Sequence, residues 1–102
     1  MKVIQLISDM IEEELEGAEE YIECAIKYRE HHPSLAKAFY DISLAEMQHV
    51  NVLHTEVSRL IEDHRRKNGE PPAAMLAVYN YLHGKQIDAA AEVKAMQDMY
   101  KR

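Results

Sequence analysis

The chain has 102 residues, of which only three are Gly and three Pro, with no Trp. So few turn formers argue against a sandwich, a barrel or a solenoid, and no apolar run approaches the roughly 20 residues of a membrane span. Twelve basic against 18 acidic side chains leave a net charge of −6, the wrong sign for a nucleic-acid partner.

The apolar stretch from Val3 is broken by Gln5, Ser8 and Asp9 and then meets Glu12, Glu13 and Glu14. That pattern does not fit a secretory signal, so the expected location is cytoplasmic. Cys24 is the single cysteine, which excludes an internal disulfide and a Cys-rich metal cage.

Apolar periodicity predicts one all-α domain over 1–102, with a long helix pair in 1–67 and two short accessory helices in 71–102. The first helix spans about 3–30 and is interrupted by His31, His32 and Pro33. Pro33 suits the first turn of the second helix, about 34–67. Asn68 and Gly69 then supply a left-handed stop, and Pro71 and Pro72 begin a new element. Arg65, Arg66 and Lys67 form the one basic cluster, explained by the negative dipole of the helix end on which they sit. Segments 73–83 and 85–100 read as separate short helices divided at Gly84. The second carries Ala89, Val93, Met96 and Tyr100 at heptad-like spacing.

Glu46-Met47-Gln48-His49 is a Glu-x-x-His pair, which a helix places on neighbouring turns of one face. The spacing alone is weak, since six His in this composition produce roughly one such pair by accident. Phase carries more information. Leu35, Phe39, Ile42, Leu53, Val57 and Leu60 fall within an arc of about 60°, Glu46 lies inside it, and His49 about 20° outside. His49 by itself also fits a satisfied core histidine, whereas a buried, unpaired carboxylate at Glu46 must be neutral or costs several kcal/mol. A divalent metal would satisfy both.

Helix one supplies a further acid. Its apolar arc holds Ile7, Met10, Ile11, Leu15, Ala18, Tyr21, Ile22 and Ala25, and of its acids Glu14 alone falls inside that arc. Glu12, Glu13, Glu16, Glu19, Glu20 and Glu23 point outward as a solvated face. Glu14 is therefore the third candidate ligand, a partly exposed carboxylate being its alternative. Tyr21 lies two turns on, placed either for a hydrogen bond to Glu14 or as an ordinary core tyrosine. His31, His32, His54 and His83 fall at helix ends or off the stripe and are not read as ligands. His64 shares the stripe of Glu46 but lies near the helix end, where the dipole explains it.

An inward Glu on one helix followed by Glu-x-x-His on the next resembles one half of the ferritin-like di-iron carboxylate bundle, especially the rubrerythrin branch. Phe39, Tyr21 and Ala25 fall where such helices carry an aromatic, a Tyr and an Ala, and the likeness covers about residues 7–60. The second half of the chain has no Glu-x-x-His, and Glu92 is followed three residues later by Ala95. The resemblance therefore implies that a four-helix bundle is completed by dimerisation. Two copies each of Glu14, Glu46 and His49 make four carboxylates and two imidazoles, the ligand set of di-iron bundles. Short ferritins packaged inside encapsulin shells are built this way.

The resemblance implies Glu46 as the bridging ligand, with Glu14 and His49 terminal, and two iron ions per dimer, with manganese and zinc also compatible. It further implies a homodimer or larger homo-oligomer that oxidises ferrous iron with oxygen or peroxide for storage or detoxification, with an enclosing shell or an electron donor as further partners. The competing expectation is a ferritin-like helical scaffold or interaction protein without a working metal site, in which Glu46 and His49 pair with each other or with a partner chain.

Overall fold

The computed structural model describes residues 2–102. They form three helices, α1 (Lys2–Tyr28), α2 (Pro33–Asn68) and α3 (Ala73–Lys101). Pro33 opens α2 at a position whose N–H has no helical partner in any case. Gly69 ends it at φ +79°, with its N–H bonded to the Arg65 carbonyl at 3.0 Å. The basic cluster at this end is occupied by local acids: Arg65 pairs with Glu62 and Glu70, and Arg66 with Asp63. No helix among the described residues is long and apolar enough to cross a membrane.

The α1–α2 pair is an antiparallel hairpin, in which Tyr21 meets Phe39 and Glu14 meets His49. α3 runs back parallel to α1. Near its middle Gln86 donates to the Ser8 hydroxyl at 3.0 Å, and at its end Arg29 donates to the carbonyls of Met99 and Tyr100, both at 3.2 Å. The result is a rod of 56 × 18 × 18 Å, its length set by the 36 residues of α2 at about 1.5 Å each.

The two short C-terminal helices expected from the sequence are one continuous helix of 29 residues. Gly84 sits inside it without a positive φ. Glycine weakens a helix interior by only about 1 kcal/mol, and no proline is present here to remove a hydrogen bond, so packing on either side carries the helix through. The residues expected to face inward from its second half do so: Val93 is buried, and Met96 and Tyr100 pack beside the Ile22, Ala25 and Tyr40 cluster.

A second correction concerns the face of α2. The residues it buries are Ala36, Tyr40, Ser43 and Val50, centred about 90° around the helix from the stripe of large apolar residues. Leu35 and Ile42, both in that stripe, are exposed, and Phe39, Leu53, Val57 and Leu60 are half-buried. Phe39, Leu53 and Val57 still pack against the buried clusters from the side, while the small side chains Ala18 and Ala25 of α1 and Ala36 and Ser43 of α2 are fully buried. The buried Ser43 hydroxyl donates to the Ala18 carbonyl at 2.8 Å and accepts from Gln97 of α3 at 3.0 Å, joining all three helices at one polar point. Met10 of α1, expected inside, is likewise exposed.

A Cβ at position 84 meets nothing within 4 Å, so Gly84→Ala should stabilise the protein by up to about 1 kcal/mol. Urea unfolding measures this, and a loss of stability would mean that the chain turns at this glycine.

Candidate metal centre

Three ionisable side chains converge between α1 and α2: Glu14, Glu46 and His49 each offer a ligand atom, and these atoms lie within 4.8 Å of one another. They are the three residues that sequence phase selected. Glu46 and His49 lie one helical turn apart on α2, and Glu14 faces them from α1, with its Oε2 3.3 Å from His49 Nδ1. Glu14 and Glu46 are half-buried and His49 is exposed. The cluster therefore opens to the outside of the hairpin.

Gly17 gives the Glu46 carboxylate room in this arrangement and was not singled out by the sequence pattern. A Cβ at position 17 would stand 3.1 Å from Glu46 Oε2 and 3.5 Å from its carboxyl carbon. The missing side chain leaves a notch in α1 that the Glu46 carboxylate occupies. Its signal in the sequence is a helix-weakening residue, three positions after Glu14, in a stretch, 12–20, otherwise made of Glu, Leu and Ala.

Two carboxyl groups this close do not ionise independently. Its hydrogen bond with Glu14, loss of solvent and repulsion by the Glu14 charge raise the Glu46 pKa above the ordinary carboxylate value, and the nearby His49 lowers it by less. The folded chain thus holds a proton here that the unfolded chain releases. This favours the folded state at the acid end of the carboxylate range, and the advantage is lost as pH rises through the raised pKa.

The donor set suits a first-row divalent ion, combining hard carboxylate oxygens with one imidazole. Two donors each about 2.1 Å from one ion lie at most about 4.2 Å apart, so side-chain rotation of under about 1 Å closes the cluster around it. An ion would take the place of the shared proton and remove the repulsion between Glu14 and Glu46. One chain supplies three ligands from one side.

The surroundings are apolar and uncovered. Along α1, Val3, Leu6 and Met10 precede Glu14 at helical spacing, and along α2, Leu35 and Ile42 precede Glu46. All five large side chains are exposed. Tyr21, the candidate neighbour of Glu14, sets its ring against Phe39 with centroids 6.0 Å apart. Glu12, Glu16 and Glu19 line a shallow groove with Lys85 on another side of α1. His54 and His83, not read as ligands from the sequence, meet each other with Nε2 atoms 3.0 Å apart. Comparison with known proteins finds no matching family model, curated protein or solved structure.

Two outcomes follow. In metal-free protein at pH 7–8, Glu46→Gln should raise Tm, and the gain should shrink as pH falls through the raised Glu46 pKa, as read by calorimetry across pH. Gly17→Ala should leave metal-free stability equal or higher, through helix propensity, while weakening divalent-metal affinity on the order of tenfold, measured by titration calorimetry.

Proposed function

We propose that the chain binds iron at Glu14, Glu46 and His49, with the site completed by a second copy, and that it oxidises ferrous iron. The observation that carries this reading is the convergence of two carboxylates and an imidazole, from two helices, within an exposed apolar stripe. A partner hairpin laid on that stripe would cover Leu6, Met10, Leu35 and Ile42 and bring a second set of the same ligands. Four carboxylates and two imidazoles then face one another, the composition of a ferritin-like di-iron bundle.

Iron is the substrate in this reading. Two ferrous ions release two electrons to dioxygen, which takes up two protons and leaves as hydrogen peroxide. With peroxide as oxidant, the two electrons and two protons yield two waters. The chain's own part is positional. Glu46, held in the notch at Gly17, would bridge the ions, with Glu14 and His49 as the terminal ligands. The carboxylates offset the positive charge gained on oxidation, and the apolar stripe, once covered, limits water around them.

A helical scaffold without metal is the second reading, favoured by the 3.3 Å contact of His49 with Glu14, which partners both groups within one chain. Anaerobic loading with ferrous iron followed by admission of air separates the two. The proposal expects about two irons per dimer, near-ultraviolet absorbance that grows in air, and loss of both in Glu46→Ala. Sedimentation should show a dimer. A dimer that takes up no metal at saturating iron would establish the scaffold and overturn the iron reading.

A further inference from the structure

We infer that His54 of α2 and His83 of α3 form a second metal site, separate from the carboxylate cluster, which takes an imidazole-preferring divalent ion such as copper or zinc and clips α3 to the hairpin. The two Nε2 atoms stand 3.0 Å apart, with ring centroids at 4.4 Å and ring planes at 52°. Two nitrogens each about 2.05 Å from one ion are about 2.9 Å apart at a right angle and about 3.3 Å at the tetrahedral angle. The observed Nε2–Nε2 separation lies between these limits.

Metal-free, the pair satisfies itself through one N–H donated from ring to ring. Burial and the neighbouring His83 lower the His54 pKa. The His54 side chain is half-buried, while His83 is exposed and leaves room for further ligands. Ser8, Ser58, Asn80 and Gln86 line the adjoining groove, which suits an ion that completes its coordination with water.

His54 lies five residues beyond His49, about 7.5 Å along α2 and about 140° around it. The two histidines therefore point to different sides of the helix, and no single ion joins them. Donor chemistry separates the sites as well: two imidazoles without a carboxylate favour copper(II), nickel(II) and zinc over ferrous iron.

The position explains what the ion would do. Both fully buried residues of α3, Val93 and Gln97, lie in its C-terminal half. In the preceding stretch Val78, Tyr81 and Ile87 are exposed, and its polar attachments include the His54–His83 contact and the Gln86–Ser8 bond. An ion held by one ligand from each helix acts as a cross-link at the sparsely packed part of the fold. Because it binds the docked arrangement of α3, it stabilises that arrangement by mass action.

The test uses the full chain carrying Glu46→Ala, which disables the carboxylate cluster, and compares it with the same chain carrying in addition His83→Gln or His54→Gln. Copper(II) chloride and zinc chloride are titrated separately, with circular dichroism to verify folding. The expected result is one copper per chain with an electron paramagnetic resonance spectrum of two equivalent nitrogens, a zinc-dependent rise in Tm, and affinity reduced on the order of tenfold or more by either His substitution. His83 is exposed, so His83→Gln keeps the test valid if His54→Gln fails to fold. Unchanged affinity and spectrum in His83→Gln, or no binding to the Glu46→Ala chain, would overturn the site. Since the parent chain already lacks the iron ligand, either outcome is independent of the proposed iron chemistry.

Discussion

The close approach of α1 and α2 through small side chains is the constraint on which the rest of the structure depends. Ala18, Ala25, Ala36 and Ser43 are fully buried between the two helices, and Gly17 extends the same narrow seam toward Glu46. Larger residues would hold the backbones further apart, since interaxial distance follows the side chains at the contact. With the helices close, Ser43 reaches the Ala18 carbonyl, and Glu14 reaches His49. The same seam turns the large apolar residues of α2 sideways. One choice of packing residues therefore produces both the cluster and the exposed stripe around it.

That choice also explains what was legible in the sequence. Phase located Glu14, Glu46 and His49 because a charged residue within an apolar stripe stands out whichever partner the stripe meets. It did not identify the partner. Of the periodic residues Leu35, Phe39, Ile42, Leu53, Val57 and Leu60, Phe39, Leu53 and Val57 pack against the core from its edge and Leu35 and Ile42 stay exposed, while the most buried face carries Ala36, Tyr40, Ser43 and Val50. Small residues carry little hydrophobic contrast, so a seam built from them is nearly silent in a periodicity search. Gly17 is silent for a related reason: its contribution is the space of an absent side chain, which becomes visible only once Glu46 is opposite.

Gly84 and the His54–His83 pair show two further limits. A glycine reads as a stop by local propensity, but packing on both sides of position 84 outweighs that weak preference. His54 and His83 are 29 residues apart on different helices, and neither lies on its helix's apolar stripe. Their meeting depends on the register of α3, which Gln86 with Ser8 at one point and Arg29 with the Met99 and Tyr100 carbonyls at another hold in place. No local spacing encodes that register.

The grip of Arg29 on the last carbonyls of α3 has a topological consequence. The C-terminal turn is secured where α1 ends, with Tyr100 stacked on Tyr40 at 4.6 Å, while the N-terminal turn is tied covalently to α2 through residues 69–72. The sparsely packed stretch between them is thus fastened at both ends. When it opens, it bows outward as a closed loop rather than fraying as a free tail, and the entropy it gains is limited by that closure. Closure at both ends narrows the registers in which this stretch can redock, which favours the one that returns Gln86 to Ser8.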